Sequence, residues 1–165
     1  MVLIQLPDKT KKEFPKGTTS LDVAKSISEG LARNVLAAEI NGEVWDANRE
    51  LREDELLNLK LLTWNDEESK SLLWHSSAHL MAEAIQFFFP EAKFTIGPAI
   101  ENGFYYDVEL QENKNISSDD FEKIEKKMLE LASQKNTFNR KEISKEEAIK
   151  YYKDKKNKYK LELLE

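Results

Sequence analysis

Apolar and polar positions alternate in short runs through the first part of the chain, then change to longer helical periods. Val2-Leu3-Ile4-Gln5-Leu6 has strand composition. Pro7-Asp8-Lys9-Thr10 supplies turn residues, and Lys11-Lys12-Glu13-Phe14 returns as a second strand. After the break at residues 15–20, Thr19 or Ser20 caps a helix with Leu21, Val23, Ala24 and Ile27 on its apolar side. Val35-Leu36-Ala37-Ala38-Glu39-Ile40 reads as a strand. Asn41-Gly42 is a tight-hairpin signal leading into Glu43-Val44-Trp45. Leu51 and the acidic run Glu53-Asp54-Glu55 precede a last strand over 56–62.

This order of strand, strand, helix, strand, short strand, strand predicts a ubiquitin-like β-grasp domain over residues 1–62. A polar joint follows at 63–69, where Asn65 or Asp66 caps a long helix that ends before Pro90. Its acidic start suits the positive end of the helix dipole. Residues 94–100 and 103–110 read as two strands joined through Asn102-Gly103. From Ser117 or Ser118 an amphipathic helix carries Phe121, Ile124, Met128, Leu129 and Leu131. Residues 137–143 read as a further strand, and Ser144-Lys145-Glu146-Glu147 starts a helix that continues through Ala148, Ile149, Tyr151 and Tyr152. The second part, 63–165, is therefore expected to be an α+β layer with the long helix packed on a sheet. The fold class expected for the whole chain is α+β.

Composition narrows the chemistry. The net charge of −6 excludes a uniformly basic nucleic-acid binder. One stretch is nevertheless positive: residues 140–160 hold nine Lys or Arg against four Asp or Glu. The absence of cysteine removes disulfides, a thiolate nucleophile and Cys-based zinc sites from this sequence. No apolar run approaches a membrane span and the first residues lack a signal-peptide pattern, so a cytoplasmic protein is expected.

The two histidines, His75 and His79, lie four residues apart in Trp74-His75-Ser76-Ser77-Ala78-His79-Leu80. Helical spacing stacks both imidazoles on one face, which suits proton transfer, metal ligation, substrate positioning or plain hydrogen bonding at a helix–sheet interface. A zinc site built on the pair lacks an intervening glutamate and a third ligand motif, so no metal site is expected. Tyr105 and Tyr106 alternate, which puts one in the core and the other outward. Met81, Phe87, Phe88 and Phe89 are expected in the core. Trp45, Trp64 and Trp74 are expected in the core or at the domain joint.

Three features together resemble the N-terminal region of bacterial threonyl-tRNA synthetases. They are the β-grasp pattern ending at Leu62, the run His75-Ser76-Ser77-Ala78-His79-Leu80-Met81-Ala82-Glu83-Ala84, and the run Ile96-Gly97-Pro98-Ala99-Ile100-Glu101-Asn102-Gly103-Phe104-Tyr105-Tyr106-Asp107. The resemblance implies a TGS domain over 1–62. It implies the N-terminal part of a threonyl/alanyl-tRNA synthetase-type editing domain over 63–165. Members of this family ligate threonine to tRNA(Thr) using ATP, and the editing region hydrolyses mischarged seryl-tRNA(Thr).

The family continues with a Cys-x-x-x-His motif and a class II catalytic domain that this sequence does not contain. The chain is therefore expected to be a fragment of a longer enzyme, with little activity of its own. No cofactor is expected here; ATP, Mg and Zn would belong to the absent catalytic domain. The same resemblance implies editing roles for His75, His79 and Lys160, the last matching the family's Tyr-Lys context at Tyr159-Lys160, and a substrate contact for Tyr106. The implied partners are tRNA(Thr) and seryl-tRNA(Thr), with homodimerisation through absent domains and no membrane. An alternative is a TGS-containing regulatory or RNA-binding module without catalysis.

Overall fold

The computed structural model describes residues 1–52 and 56–164; the acidic run at 53–55 and Glu165 lie outside the described residues. The chain divides into two compact units, Met1–Leu73 and Trp74–Glu165.

The first unit is a β-grasp. Strands β1 (Val2–Gln5) and β2 (Lys11–Phe14) form an antiparallel hairpin. Helix α1 (Ser20–Ile27) follows, and its N-terminus carries a reciprocal capping box: the Asp22 N–H donates to Thr19 Oγ1 at 3.2 Å, and the Thr19 N–H donates to Asp22 Oδ2 at 3.1 Å. A one-turn helix α2 (Glu29–Ala32), capped by Ser28, was not expected from the sequence. Strands β3 (Val35–Ile40) and β4 (Glu43–Asp46) pair antiparallel. Between them Asn41 and Gly42 both have positive φ, at 51° and 88°, as a two-residue hairpin turn requires.

Strand β5 (Leu56–Thr63) inserts between β1, to which it is parallel, and β3. The sheet order is β2-β1-β5-β3-β4. Val2, Ile4, Val23, Ile40, Leu57 and Leu59 fill the core together with Trp45. Trp64, by contrast, is about half exposed.

Helix α3 (Glu67–Phe88) starts just after Asp66, the expected cap position. Asp66 turns its carboxylate back to accept from the Thr63 N–H at 2.8 Å and pairs with Lys60 at 3.2 Å. Ser69, fully buried, donates its hydroxyl to the carbonyls of Asp66, at 2.8 Å, and of Thr63.

In the second unit Ala84 and Ile85 of α3 pack with Phe94, Ile124 and Leu131, and with Tyr106 and Val108 at the margin. Phe87 departs from expectation: it is 61% exposed, set edge-on to Phe88 and covered by the Lys127 ammonium 3.9 Å from its ring centre. Phe88 takes the inward position, and a cation over the ring gives Phe87 its contact instead.

The two long strands expected at 94–100 and 103–110 are also interrupted. Ladders form only between β6 (Lys93–Phe94) and β9 (Val108–Glu109), and between β7 (Ala99–Ile100) and β8 (Gly103–Phe104). Pro98 has no N–H to give and Gly97 is met by a side chain where a strand residue would carry a Cβ, so the ladder breaks there.

Helix α4 (Ser118–Ser133) buries Ile124 and Leu131, whereas Phe121 and Leu129 of its expected apolar face are exposed. Residues 137–143 form no strand: they are exposed, irregular chain without a ladder partner among the described residues. Helix α5 (Lys145–Asp154) begins at its Ser144–Glu147 capping box, and the short helix α6 (Lys158–Glu162) follows. No helix is long and apolar enough to cross a membrane.

Candidate functional site

The α-helical repeat puts His75 and His79 one turn apart on α3, and the structure brings their rings into contact. The ring centres are 4.6 Å apart and nearly perpendicular, with 3.1 Å between the two Nε2 atoms. His75 Nδ1 lies 2.9 Å from the Gly97 carbonyl oxygen. A carbonyl only accepts, so His75 Nδ1 carries the hydrogen and donates.

Gly97 belongs to the interrupted hairpin opposite α3, and two backbone hydrogen bonds hold the residues just before it. The Thr95 N–H donates to the Asp107 carbonyl at 3.1 Å, and the Asp107 N–H to the Ile96 carbonyl at 3.2 Å.

Tyr106 comes from the facing arm of the same hairpin. Its ring packs edge-on to Phe94, with 5.3 Å between centres, and lies 6.3 Å from the His79 ring. Tyr105 turns away and is 48% exposed, so the alternation expected of the tyrosine pair is present. Burial raises the Tyr106 hydroxyl above the ordinary tyrosine pKa, with the neighbouring Tyr152 adding to the effect. Phe138, from the irregular segment after α4, places its ring 6.5 Å from His79.

Lys160 lies on α6, near enough for its charge to act on His79. That helix is capped by Asn157, whose Oδ1 accepts from the Lys160 N–H at 3.1 Å and whose amide donates to the Phe94 carbonyl at 3.5 Å. Burial lowers the Lys160 ammonium below the usual lysine pKa. His79 is likewise lowered, first by burial beside the aromatic rings, then by His75 and by the Lys160 charge. His79 is nevertheless an exposed residue.

All four residues singled out from the sequence therefore converge. His75 and His79 touch, Tyr106 stands beside His79, and the Lys160 charge acts on His79. Gly97, Phe138 and Asn157 were not foreseen. Gly97-Pro98 within an apolar run was the available signal for the first, since it marks a close approach of backbone. The arrangement offers two exposed imidazoles beside a half-buried ammonium and a half-buried phenol. It can orient water, accept a proton and meet a developing oxyanion with positive charge. For a metal it offers only two nitrogens; among the described residues no group of three or more His, Cys, Asp or Glu gathers at one point.

Comparison with known proteins places this geometry in context. A family model described as the TGS domain matches residues 2–61. The chain is 59% identical over its whole length to a threonine–tRNA ligase of Cytophaga hutchinsonii. It is 52% identical to that of Parabacteroides distasonis and 48% to that of Porphyromonas gingivalis, each over 99% of the chain. In all three cases the match takes up 25% of the relative, so the chain spans about a quarter of the length of the curated relatives it matches.

Proposed function

We propose, from the premise that residues 2–61 are a TGS domain and the whole chain is similar to the N-terminal region of threonine–tRNA ligases, that residues 63–165 form part of an editing domain that hydrolyses mischarged seryl-tRNA(Thr). The observation that carries the reading is the convergence of His75, His79, Tyr106 and Lys160 at one place. In this reading the whole protein is a cytoplasmic enzyme that joins threonine to tRNA(Thr).

Serine is threonine without a methyl group. A synthetic pocket that admits threonine gains only about 1–3 kcal/mol of discrimination from that methyl, so accuracy calls for a second, hydrolytic site. Water adds to the seryl carbonyl carbon, the bond from that carbon to the ribose oxygen breaks, and the proton taken from water returns to the leaving ribose oxygen. The histidine pair orients the water and holds that proton in transit. Lys160 faces the negative charge that gathers on the carbonyl oxygen or holds the terminal ribose, and Tyr106 borders the seryl group.

The test is deacylation of seryl-tRNA(Thr). It compares this chain with a full-length threonine–tRNA ligase in which the chain replaces the matching quarter, each with and without His75→Ala. The chimera is expected to hydrolyse the ester and the chain alone to do so much more weakly, because holding the ester beside the water is worth several kcal/mol and needs the rest of the tRNA-binding surface. Threonine activation in the chimera should survive His75→Ala while deacylation is lost. A chimera whose deacylation ignores both His75→Ala and His79→Ala would instead favour a binding module without catalysis.

A further inference from the structure

The histidine pair is held by a backbone atom. His75 donates from Nδ1 to the Gly97 carbonyl. A neutral imidazole has one N–H, so His75 Nε2 presents a lone pair. His79 Nε2 lies 3.1 Å from that lone pair and must carry the hydrogen of the bond between them. One nitrogen is then left bare, His79 Nδ1.

The Gly97 carbonyl is itself held in place. A Cβ built on Gly97 would lie 2.5 Å from both Cδ2 and Cε2 of Tyr106 and 3.1 Å from its Cγ. The Tyr106 ring therefore occupies the space of a side chain at position 97, and Phe94 braces it.

We propose that Gly97 is a positioning residue: seated against the Tyr106 ring, its carbonyl locks the pair into the arrangement Gly97 O, His75 Nδ1–H, His75 Nε2, His79 Nε2–H, and leaves His79 Nδ1 as the lone pair offered to water. Its catalytic meaning rests on the editing reading above. The arrangement also limits charge. Protonating both rings would set two N–H groups against each other, so the bond between them holds only while one Nε2 keeps its lone pair. The groups facing His79 from the other elements, Lys160 from α6 and the Tyr106 phenol from the hairpin, oppose or ignore an added proton.

The chain contains only two histidines, which makes the test direct. Long-range proton–nitrogen NMR on the full chain with nitrogen-labelled histidine distinguishes a protonated ring nitrogen from a bare one, and His75→Gln and His79→Gln assign the signals. At mildly alkaline pH, His75 is expected to show protonated Nδ1 and bare Nε2, and His79 the converse. Gly97→Ala should abolish the His75 preference, and Gly97→Ala with Tyr106→Ala should restore it by clearing the space. A wild-type His75 protonated at Nε2 overturns the proposal, whatever the variants do.

In the chimera, Gly97→Ala should lower kcat for seryl-tRNA(Thr) deacylation about a hundredfold with little change in KM, the order expected for a small misplacement of a reacting group. Full activity in Gly97→Ala beside loss in His75→Ala overturns the positioning role and leaves the editing reading standing. Indifference to both substitutions, with the tautomers as expected, overturns the editing reading instead, and the catalytic role of Gly97 with it.

Discussion

The Lys158 ammonium sits 3.0 Å from Glu109 Oε1, which ties α6 to β9 across the second unit. The pairing raises the lysine pKa and lowers that of the carboxylate, each chiefly through this hydrogen bond. Lys158 is thus partly spoken for within the positive stretch that the sequence offers for RNA.

Binding of a tRNA acceptor stem is accordingly expected to depend more on Lys155 and Lys156 than on Lys158. Lys155→Glu and Lys156→Glu should weaken binding and flatten its dependence on salt, by about one unit of slope for each phosphate left without its cation. Lys158→Glu should also loosen α6 and so disturb Lys160. Fluorescence titration across a salt series reads the first effect, and nitrogen NMR of the His79 ring reads the second. Unchanged affinity in the Lys155→Glu/Lys156→Glu double variant would place the RNA-binding surface elsewhere.

Two serines in the first unit are completely buried but differ in partners, and their alanine variants should differ in sign. Ser69 donates to the Thr63 and Asp66 carbonyls, so Ser69→Ala should lower stability by about 1–2 kcal/mol. Ser20 Oγ has no hydrogen-bond partner among the described residues, so Ser20→Ala should leave stability unchanged or raise it by up to about 1 kcal/mol. Urea midpoints of the two variants provide the comparison.

His79 should titrate below 6.5, the ordinary imidazole value, because burial, His75 and Lys160 all disfavour its charged form. The sign for folding follows. Between the two pKa values the unfolded chain binds more protons than the folded one, so this group's contribution is full above pH 6.5 and is lost as pH falls through the folded value. NMR titration gives the pKa. The pH dependence of the urea midpoint should be shallower in His79→Gln over that window.

Zinc should not bind tightly to this chain. Two imidazoles are half of a tetrahedral set, and their Nε2 atoms are already engaged with each other. Metal analysis after dialysis against a mild chelator should find none. Stoichiometric zinc that disappears in His79→Ala would reverse this expectation.

The β-grasp half was legible because its signals are local. Asn41-Gly42 takes the two positive φ values its turn needs, Thr19 and Asp22 close their capping box, and Val2 and Ile4 alternate inward. The four-residue α2 left too short a pattern to read. In the second half, residues 137–143 read as a strand, but a strand exists only with a neighbour, and local sequence does not supply one. The break at Gly97-Pro98 was written in the residues, whereas the use of the Gly97 carbonyl was not, since every residue has a carbonyl. The His75–His79 contact followed from helical spacing. Lys160 came into view only through resemblance, because nothing local marks it among its neighbouring lysines.

The central pair of the first sheet joins its two most distant strands, Leu3 of β1 beside Leu56 of β5, and Gln5 and Asn58, linked by a side-chain hydrogen bond, are 53 positions apart. Closing a loop of that length costs about 3.5 kcal/mol of chain entropy before the contact returns anything. During synthesis the β1–β2 hairpin, α1 and the β3–β4 hairpin all leave the ribosome before the strand that unites them. The β1–β5 and β3–β5 pairings therefore cannot form until β5 has emerged, and until then β1 and β3 each keep an open edge of the kind that recruits other strands.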